Sequence, residues 1–378
     1  MTESETGGVR LRPVPAALVA GALADALRGG PPIAPLPDAE PERRLSLEML
    51  APHELVTEPD AAAVVATSGT TGRPKGVVLS RSAIAASVAA THARLGGAGD
   101  WVLPLPSHYV AGLMVLARSI LAGTTAHPVP ADLAGLPETV EAMTGRRYVS
   151  LVPTQLVRAC ADPVLTEALT RFDAVLLGGA AADPRLLAGA RDRGIPVVTT
   201  YGMSETCGGC VYDGVPLDGV SVRLEESGRI LLGGPTLFSG YRLQPELTAA
   251  VRSGTWFRTQ DRGRWQQDRL SVLGRLDDVV VSGGINVDLA AVERAVRTWP
   301  GLQGSEVAVV GVPDVEWGTR VVAVTDGAGS EAELRSFLQQ RLPAAAAPRR
   351  LVRVTALPRT SSGKIDRQRL IADLAASP

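Results

Sequence analysis

The chain has 378 residues, of which 45 % are apolar and 20 % charged, with 38 Lys plus Arg against 39 Asp plus Glu and a formal charge of −1. Such a composition buries a sizeable core and excludes a disordered chain; the length reads as two domains or one large one. The balanced charge offers no basic excess for a nucleic-acid binder, and three cysteines are too few for a disulfide scaffold, so a reducing cytoplasm is the expected setting.

Val14 to Leu27 is apolar and follows Arg10 and Arg12. Asp25 interrupts it, and Gly-Gly-Pro-Pro stands where a signal-peptide cleavage site would lie, so an amphipathic helix is expected. Residues 28–60, rich in Pro and Glu, read as irregular surface structure. A β/α rhythm follows. Strands are expected at Ala62–Ala66, Trp101–Leu105, Tyr148–Val152, Ala174–Leu177 and Val197–Thr200, with helices over Ser82–Leu95, Gly112–Leu121, from Thr154, and over Asp183–Arg193. Short strands alternating with helices predict a largely parallel, covered sheet. Trp101 to Ala117 is uncharged for 17 residues, but its two prolines, Ser107 and His108 make it a poor and short membrane span, which needs about 20 apolar residues.

After about Asp213 the pattern becomes β-rich. Val220–Leu224 and Arg229–Leu232 read as a hairpin, and Leu270–Leu273 and Val279–Val281 as further strands. From Asp277 the order changes again: a helix over Leu289–Thr298, strands at Val307–Val312 and Arg320–Thr325, a helix over Glu331–Leu342 and a strand at Leu351–Val354. The fold class is therefore α/β, with a large N-terminal domain over residues 1–276 and a small α+β domain over 277–378. Pro343–Pro348 is a short low-complexity connector.

Thr67-Ser-Gly-Thr-Thr-Gly-Arg-Pro-Lys-Gly76 is the strongest local signal. It follows a strand and leads toward a helix. Gly69 and Gly72 allow close backbone approach, Ser68, Thr70 and Thr71 donate hydroxyls, and Lys75 adds charge, which together suit a polyphosphate. It is not the G-x-x-x-x-G-K-[ST] loop, because Gly76 stands where a Mg²⁺-binding hydroxyl is required.

This string resembles the phosphate loop of the adenylate-forming superfamily, which includes acyl-CoA synthetases, peptide-synthetase adenylation modules and luciferases. Four more signatures follow in that superfamily's order. Tyr201-Gly-Met-Ser-Glu-Thr206 resembles its adenine and metal motif. Thr259-Gln-Asp261 resembles its ribose motif, with Gln260 replacing a glycine. Gly274-Arg-Leu-Asp-Asp278 with Ser282-Gly-Gly284 resembles its hinge region, and Pro358 to Asp366 its C-terminal lysine loop. Typical members are considerably longer, so a shortened N-terminal region is expected.

The resemblance implies activation of a carboxylate by ATP with Mg²⁺, pyrophosphate release, and transfer of the acyl group to a thiol such as that of CoA. It implies that Ser68, Thr70, Thr71 and Lys75 hold the β- and γ-phosphates, and that Tyr201 and Gly202, bordered by Gly178, Gly179 and Ala180, receive adenine. By the same likeness Ser204 contacts the α-phosphate, Glu205 holds Mg²⁺, and Asp261 and Arg275 hold the ribose hydroxyls. Lys364, which in isolation reads as part of a mobile tail, would stabilise charge as the adenylate forms. Asp277 would be the hinge of a mobile C-terminal domain, and Gly283 and Gly284 would meet the pantetheine arm.

Cys207-Gly-Gly-Cys210 has metal or redox spacing, but no second pair or His cluster accompanies it. Its place after the adenine motif suggests that Cys207 and Gly208 line the acyl pocket. His108 and Tyr109 compete for the position of an aromatic gate to that pocket. Ser150–Leu156 and Thr199–Gly214 resemble the 2-succinylbenzoate–CoA ligases of menaquinone biosynthesis, implying an aromatic dicarboxylate substrate. Its second carboxylate would meet Thr154, Gln155, Thr206 and glycine N–H groups; Thr154 and Gln155 read equally well as a helix N-terminal cap. Another aryl- or acyl-CoA ligase and a stand-alone enzyme loading a carrier protein are the alternatives. A homodimer is the assembly expected from base rates.

Overall fold

The computed structural model describes residues 8–67, 75–302, 304–342, 346–360 and 364–376. The chain divides into two compact units, one of Met1–Arg223, Leu231–Arg258 and Gln266–Leu270, the other of Leu224–Ile230, Thr259–Trp265 and Ser271–Pro378.

The first unit contains a seven-stranded sheet in the order Val215–Pro216, Gly208–Tyr212, Val197–Met203, Ala174–Leu177, Arg147–Leu151, Asp100–Leu103 and Ala126–Pro128. The last five strands run parallel, and the first two are antiparallel additions. Both faces of the parallel part are covered. Val149, Leu151, Val175 and Leu177 pack with Leu156, Ala159, Leu169 and Ala190. The alternate residues Tyr148, Ala174 and Leu176 pack with Trp101, Ala90 and Val115. Period-two alternation between two buried faces explains why these strands read as continuous apolar runs.

The second sheet of this unit has the order Gly240–Tyr241, Lys75–Ser80, Ala61–Thr67, Ile33–Leu36 and Arg12–Pro15. It corrects three expectations. Arg12–Pro15 is a strand, so the first α-helix begins only at Val19. The region expected to be irregular contains a buried strand, Ile33–Leu36, and a helix, Glu42–Leu50. Pro13, Pro15 and Pro35 hide those strands from a sequence reading, because proline ordinarily argues against a sheet interior. Finally, Lys75–Ser80 is a strand antiparallel to Ala61–Thr67, with Thr67 opposite Lys75. The Gly/Thr-rich segment thus joins the arms of a hairpin, and the helix Arg81–Leu95 starts afterwards, where Ser80 Oγ accepts the Ala83 N–H.

A further five-stranded sheet contains Ser221–Leu224, Arg229–Gly233, Arg252–Ser253, Trp256–Gln266 and Arg269–Arg275. Trp256–Gln266, which carries Asp261, lacked an apolar signal because much of it is polar and exposed. In the second unit Ile285–Asp288, Val279–Ser282, Gly318–Thr325 and Val307–Asp314 form a sheet, with Arg350–Arg353 parallel to Gly318–Thr325. Helix Leu289–Arg297 packs on one face, and Leu370 of helix Arg367–Ala376 on the other. The helix expected to reach Leu342 ends at Gln339. No described helix is long and apolar enough to cross a membrane.

Arg242 fastens the second sheet to its covering helix. It is 2 % exposed and donates to the carbonyls of Leu50, Ala51, Glu54 and Leu55 at 2.7–3.1 Å. Replacing it with Met leaves those acceptors without their donor. Urea denaturation of Arg242→Met is expected to show a loss of about 3 kcal/mol, from several buried acceptors at about 1 kcal/mol or more each.

Candidate active site

Three charged or polar side chains from distant segments meet in the first unit. Lys75 begins the second arm of the phosphate hairpin, Glu205 lies in a 3₁₀ turn after Val197–Met203, and Tyr241 lies in the edge strand Gly240–Tyr241. Lys75 Nζ lies 3.0 Å from Glu205 Oε1 and donates to Tyr241 Oη at 2.8 Å. Tyr241 Oη in turn donates to the same Glu205 oxygen at 2.8 Å. The Lys75 ammonium also sits 4.2 Å from the Tyr241 ring centroid, and the Phe238 ring packs beside that ring at a tilt of 54°. Burial, followed by the Glu205 charge, pushes the Tyr241 phenol well above its ordinary range, so it stays a donor to the carboxylate. Tyr241 is absent from the motifs recognised in the sequence. Its one signal is a pair of aromatics, Phe238 and Tyr241, in a chain that is only 4 % aromatic. Ser68, Gly69, Thr70, Thr71 and Gly72 lie outside the described residues.

The adenine motif is shaped by close backbone contact. A Cβ on Gly202 would lie 2.0 Å from the Gly208 carbonyl oxygen. Gly178 follows strand Ala174–Leu177, and a Cβ there would lie 2.4 Å from Thr200 Oγ1. Gly179 and Ala180 are exposed beyond that strand end, while Tyr201 is half-buried on the neighbouring strand. Ser204 and Glu205 are buried, and the Glu205 carbonyl accepts the Phe238 N–H.

Two candidate substrate residues have other tasks. The Thr206 hydroxyl, wholly buried, accepts the Met203 N–H at 2.9 Å and donates to the Gly208 carbonyl at 2.6 Å. It closes the turn that presents Glu205. Gln155 is also buried. Its Oε1 accepts the Val152 N–H at 3.0 Å, and its Nε2 donates to the Ala131 carbonyl at 2.9 Å. It therefore caps the helix Pro153–Ala161. Thr154 is half-buried at the start of that helix. The rings of His108 and Tyr109 pack against each other at a tilt, with centroids 4.2 Å apart. Burial lowers the His108 pKa, opposed by Glu42 and Asp38.

Cys207 occupies a left-handed conformation with φ of 52°, and Gly208 follows it in the buried strand Gly208–Tyr212. Both Cys207 and Cys210 are fully buried, and their thiols are free. Burial pushes Cys207 far above the ordinary thiol range and Cys210 up to about 12. These are proton-holding packing groups rather than nucleophiles.

In the second unit, Arg275 forks onto Asp277 through Nε and Nη2 at 2.7 and 2.8 Å, with its Nη1 3.6 Å from Asp261 Oδ1. Lys364 keeps solvent access. Crowding by the protein, then the Arg275 charge, lowers its pKa, and Asp261 opposes that shift. Arg275 thus joins Asp261 and Asp277 in one charged cluster. Gly283 and Gly284 form a two-residue turn between Val279–Ser282 and Ile285–Asp288, with φ of 56° and 80°. Two consecutive left-handed residues favour glycine, and a Cβ on Gly283 would also strike the Trp317 ring at 2.7 Å.

Residues 27–242 match the AMP-binding enzyme family, and residues 291–364 match the AMP-binding enzyme C-terminal domain. The chain belongs to the AMP-binding enzyme family. It is 45 % identical over 331 residues to a probable 2-succinylbenzoate–CoA ligase of Mycobacterium tuberculosis, covering 84 % of this chain and 85 % of that protein. Its fold is similar to the O-succinylbenzoate Coenzyme A synthetase (MenE) of Bacillus subtilis in complex with ATP and magnesium ion. That match has a TM-score of 0.71 and 27 % identity over 82 % of this chain and 69 % of the other. The same B. subtilis enzyme with the acyl-adenylate intermediate OSB-AMP matches with a TM-score of 0.74 and 26 % identity, over 93 % and 80 % of the two chains.

A thiol reagent at pH 8 is expected to modify Cys160 alone in the native protein, and Cys207 and Cys210 only after unfolding. An unfolded thiol ionises near its ordinary value of 9.0, while folded Cys210 holds its proton up to about 12. Its contribution to stability is full below pH 9 and is lost as pH rises across that interval. Alkaline denaturation of Cys210→Ala should therefore be less steep than that of the parent protein.

Proposed function

We propose that the protein is an AMP-forming 2-succinylbenzoate–CoA ligase. The observation that carries the reading is the meeting of Lys75 and Glu205 at the end of the phosphate hairpin, in a chain 45 % identical to a protein named for that activity. The reaction has two steps. A carboxylate oxygen of 2-succinylbenzoate attacks the α-phosphorus of ATP, forming the acyl-adenylate as the bond to pyrophosphate breaks. The CoA thiol then attacks the acyl carbon, gives up its proton, and displaces AMP.

The chain's residues serve chiefly to place charge, since phosphoryl chemistry needs little covalent help. Lys75, with Ser68, Gly69, Thr70, Thr71 and Gly72, holds the terminal phosphates. Tyr201 and Gly202, with Gly178, Gly179 and Ala180, border adenine, and Ser204 donates to the α-phosphate. Asp261 accepts from the ribose hydroxyls beside Arg275. Lys364 stabilises the negative charge that grows on the reacting carboxylate and phosphate oxygens. His108 and Tyr109 gate the acyl pocket, where the Thr154 hydroxyl and the N–H groups near Gly208 are left to meet the aromatic carboxylate.

Glu205 fits a magnesium ion. Its buried carboxylate is already paired with a cation, Lys75, and among the described residues no three His, Cys, Asp or Glu side chains gather into an all-protein metal cage. One carboxylate completed by substrate oxygens and water is the usual Mg²⁺ arrangement. When bound there, the ion neutralises phosphate charge.

Residues 277–378 turn about Asp277 between the two steps, withdrawing Lys364 and bringing Gly283 and Gly284 to the pantetheine arm. The setting is cytoplasmic, in keeping with three free thiols, and the assembly is a homodimer, which light scattering tests.

Pyrophosphate release with ATP, Mg²⁺ and 2-succinylbenzoate, followed with and without CoA, tests the activity. The expected products with CoA are AMP and a thioester; adenylate without thioester would assign the acyl group to another acceptor. Lys364→Ala should abolish most adenylation yet leave CoA transfer from preformed adenylate largely intact, as read by rapid quench. Equal loss in both steps would contradict the role given to Lys364.

A further inference from the structure

Helix Leu289–Arg297 carries one buried carboxylate among its core residues. Leu289, Val292 and Val296 supply its apolar contact, so packing alone does not require an acid there. Glu293 is nonetheless only 4 % exposed, and a carboxylate so placed is tolerated only when its oxygens are satisfied. They are. Oε1 accepts from Arg297 Nη2 at 2.6 Å. Oε2 accepts the Val309 N–H at 2.9 Å and Arg367 Nη2 at 2.6 Å. Arg367 donates its other terminal nitrogen, Nη1, to the Val309 carbonyl at 2.7 Å. One side chain therefore ties the helix, the strand Val307–Asp314 and the start of the helix Arg367–Ala376.

Arg367 stands three residues after Lys364. The intervening backbone is not loose. The Thr360 N–H donates to the Lys364 carbonyl at 2.8 Å, and the Asp366 N–H donates to the Pro358 carbonyl at 2.8 Å. Arg359 and Ile365 form an antiparallel bridge between them. Arg359 also pairs with Glu306, its Nη2 lying 2.7 Å from Oε1. The base of the lysine loop is thus pinned on both sides, to Glu306 at the surface and to Glu293 in the interior. The helix that carries Glu293 is in turn tied to the residue after Asp277, since the Leu289 N–H donates to the Asp278 carbonyl at 3.0 Å.

We infer that Glu293 is a positioning residue for adenylation, which through Arg367 fixes the chain immediately after Lys364 to the helix Leu289–Arg297. The inference rests on the reading of Lys364 as the lysine that assists adenylate formation. A hydrophobic residue could fill the space at Glu293, but it would not dictate the direction of Arg367. The charge-assisted hydrogen bond from Nη2 to Glu293 Oε2, beside the one from Nη1 to the Val309 carbonyl, does.

The test separates the two half-reactions. Adenylation is read as pyrophosphate release in a single turnover, and transfer as thioester formation from preformed acyl-adenylate and CoA. Glu293→Gln keeps the shape but loses the charge that holds Arg367. Its adenylation rate is expected to fall about tenfold to a hundredfold, the scale of an ångström's misplacement, with KM for ATP and the transfer rate each within about twofold of the parent. Arg359→Ala, at the surface pin, should show the same split with a smaller amplitude, and it answers the question if Glu293→Gln does not fold. Arg367→Lys, which keeps charge but not the fork, should fall between them. Equal loss in both half-reactions, or no loss in either by a folded variant, overturns the inference. Lys364→Ala is measured alongside. If it abolishes adenylation while Glu293→Gln spares it, the positioning role alone fails; if it spares adenylation, the assignment of Lys364 fails and takes the inference with it.

Discussion

A lysine on one strand, a glutamate in a tight turn and a tyrosine on an edge strand share one carboxylate oxygen, and much of the first unit is arranged around that contact. Glu205 is buried, and an unpaired carboxylate there would be strongly unfavourable. Lys75 and Tyr241 remove that penalty. Sheet register brings the two together: Thr67 lies opposite Lys75, and Tyr241 opposite Val77. The residue between Lys75 and Val77 must be small. A Cβ on Gly76 would meet Leu50 and Arg242 within 3 Å, so the same glycine that ends the phosphate string makes room for the Arg242 clamp. The Lys75 ammonium and the bonds that hold the sheet to its helix are thus adjacent and interdependent.

Several side chains that look chemical in sequence do structural work of a defined kind. Thr206 closes the turn that aims Glu205, Gln155 caps a helix, and Cys207 and Cys210 pack the interior as neutral thiols. A hydroxyl, an amide or a thiol near a nucleotide motif is as useful for satisfying buried backbone as for touching substrate. Which use it has depends on the donors and acceptors around it. Those neighbours come from other segments.

In the second unit Lys364 is flanked by two arginines that are each held by a carboxylate. Lys364 lies between Arg359 and Arg367, and each arginine has a carboxylate partner from an earlier segment, Glu306 and Glu293 respectively. The loop keeps an accessible ammonium on a fixed base. Under the proposed role of Lys364 this combination serves two needs, since a hinge supplies movement while a fixed base supplies accuracy.

The sequence alone determined the α/β class, most strands of the parallel sheet to within a residue or two, and the family, since the five ordered signatures are local strings whose glycines, hydroxyls and charges announce their chemistry. It also placed Lys75, Glu205, Asp261, Arg275 and Lys364 among the candidates. Tertiary structure decided the rest. Proline concealed the strands Arg12–Pro15 and Ile33–Leu36, which are held by pairing with the sheet rather than by their own propensity. Tyr241 joins Lys75 across 166 residues of chain, and Glu293 joins Arg367 across 74. No local pattern marks either pair. A motif is legible when its chemistry is contiguous in the chain; a partner brought from a distant segment is specified only by the fold that closes the distance.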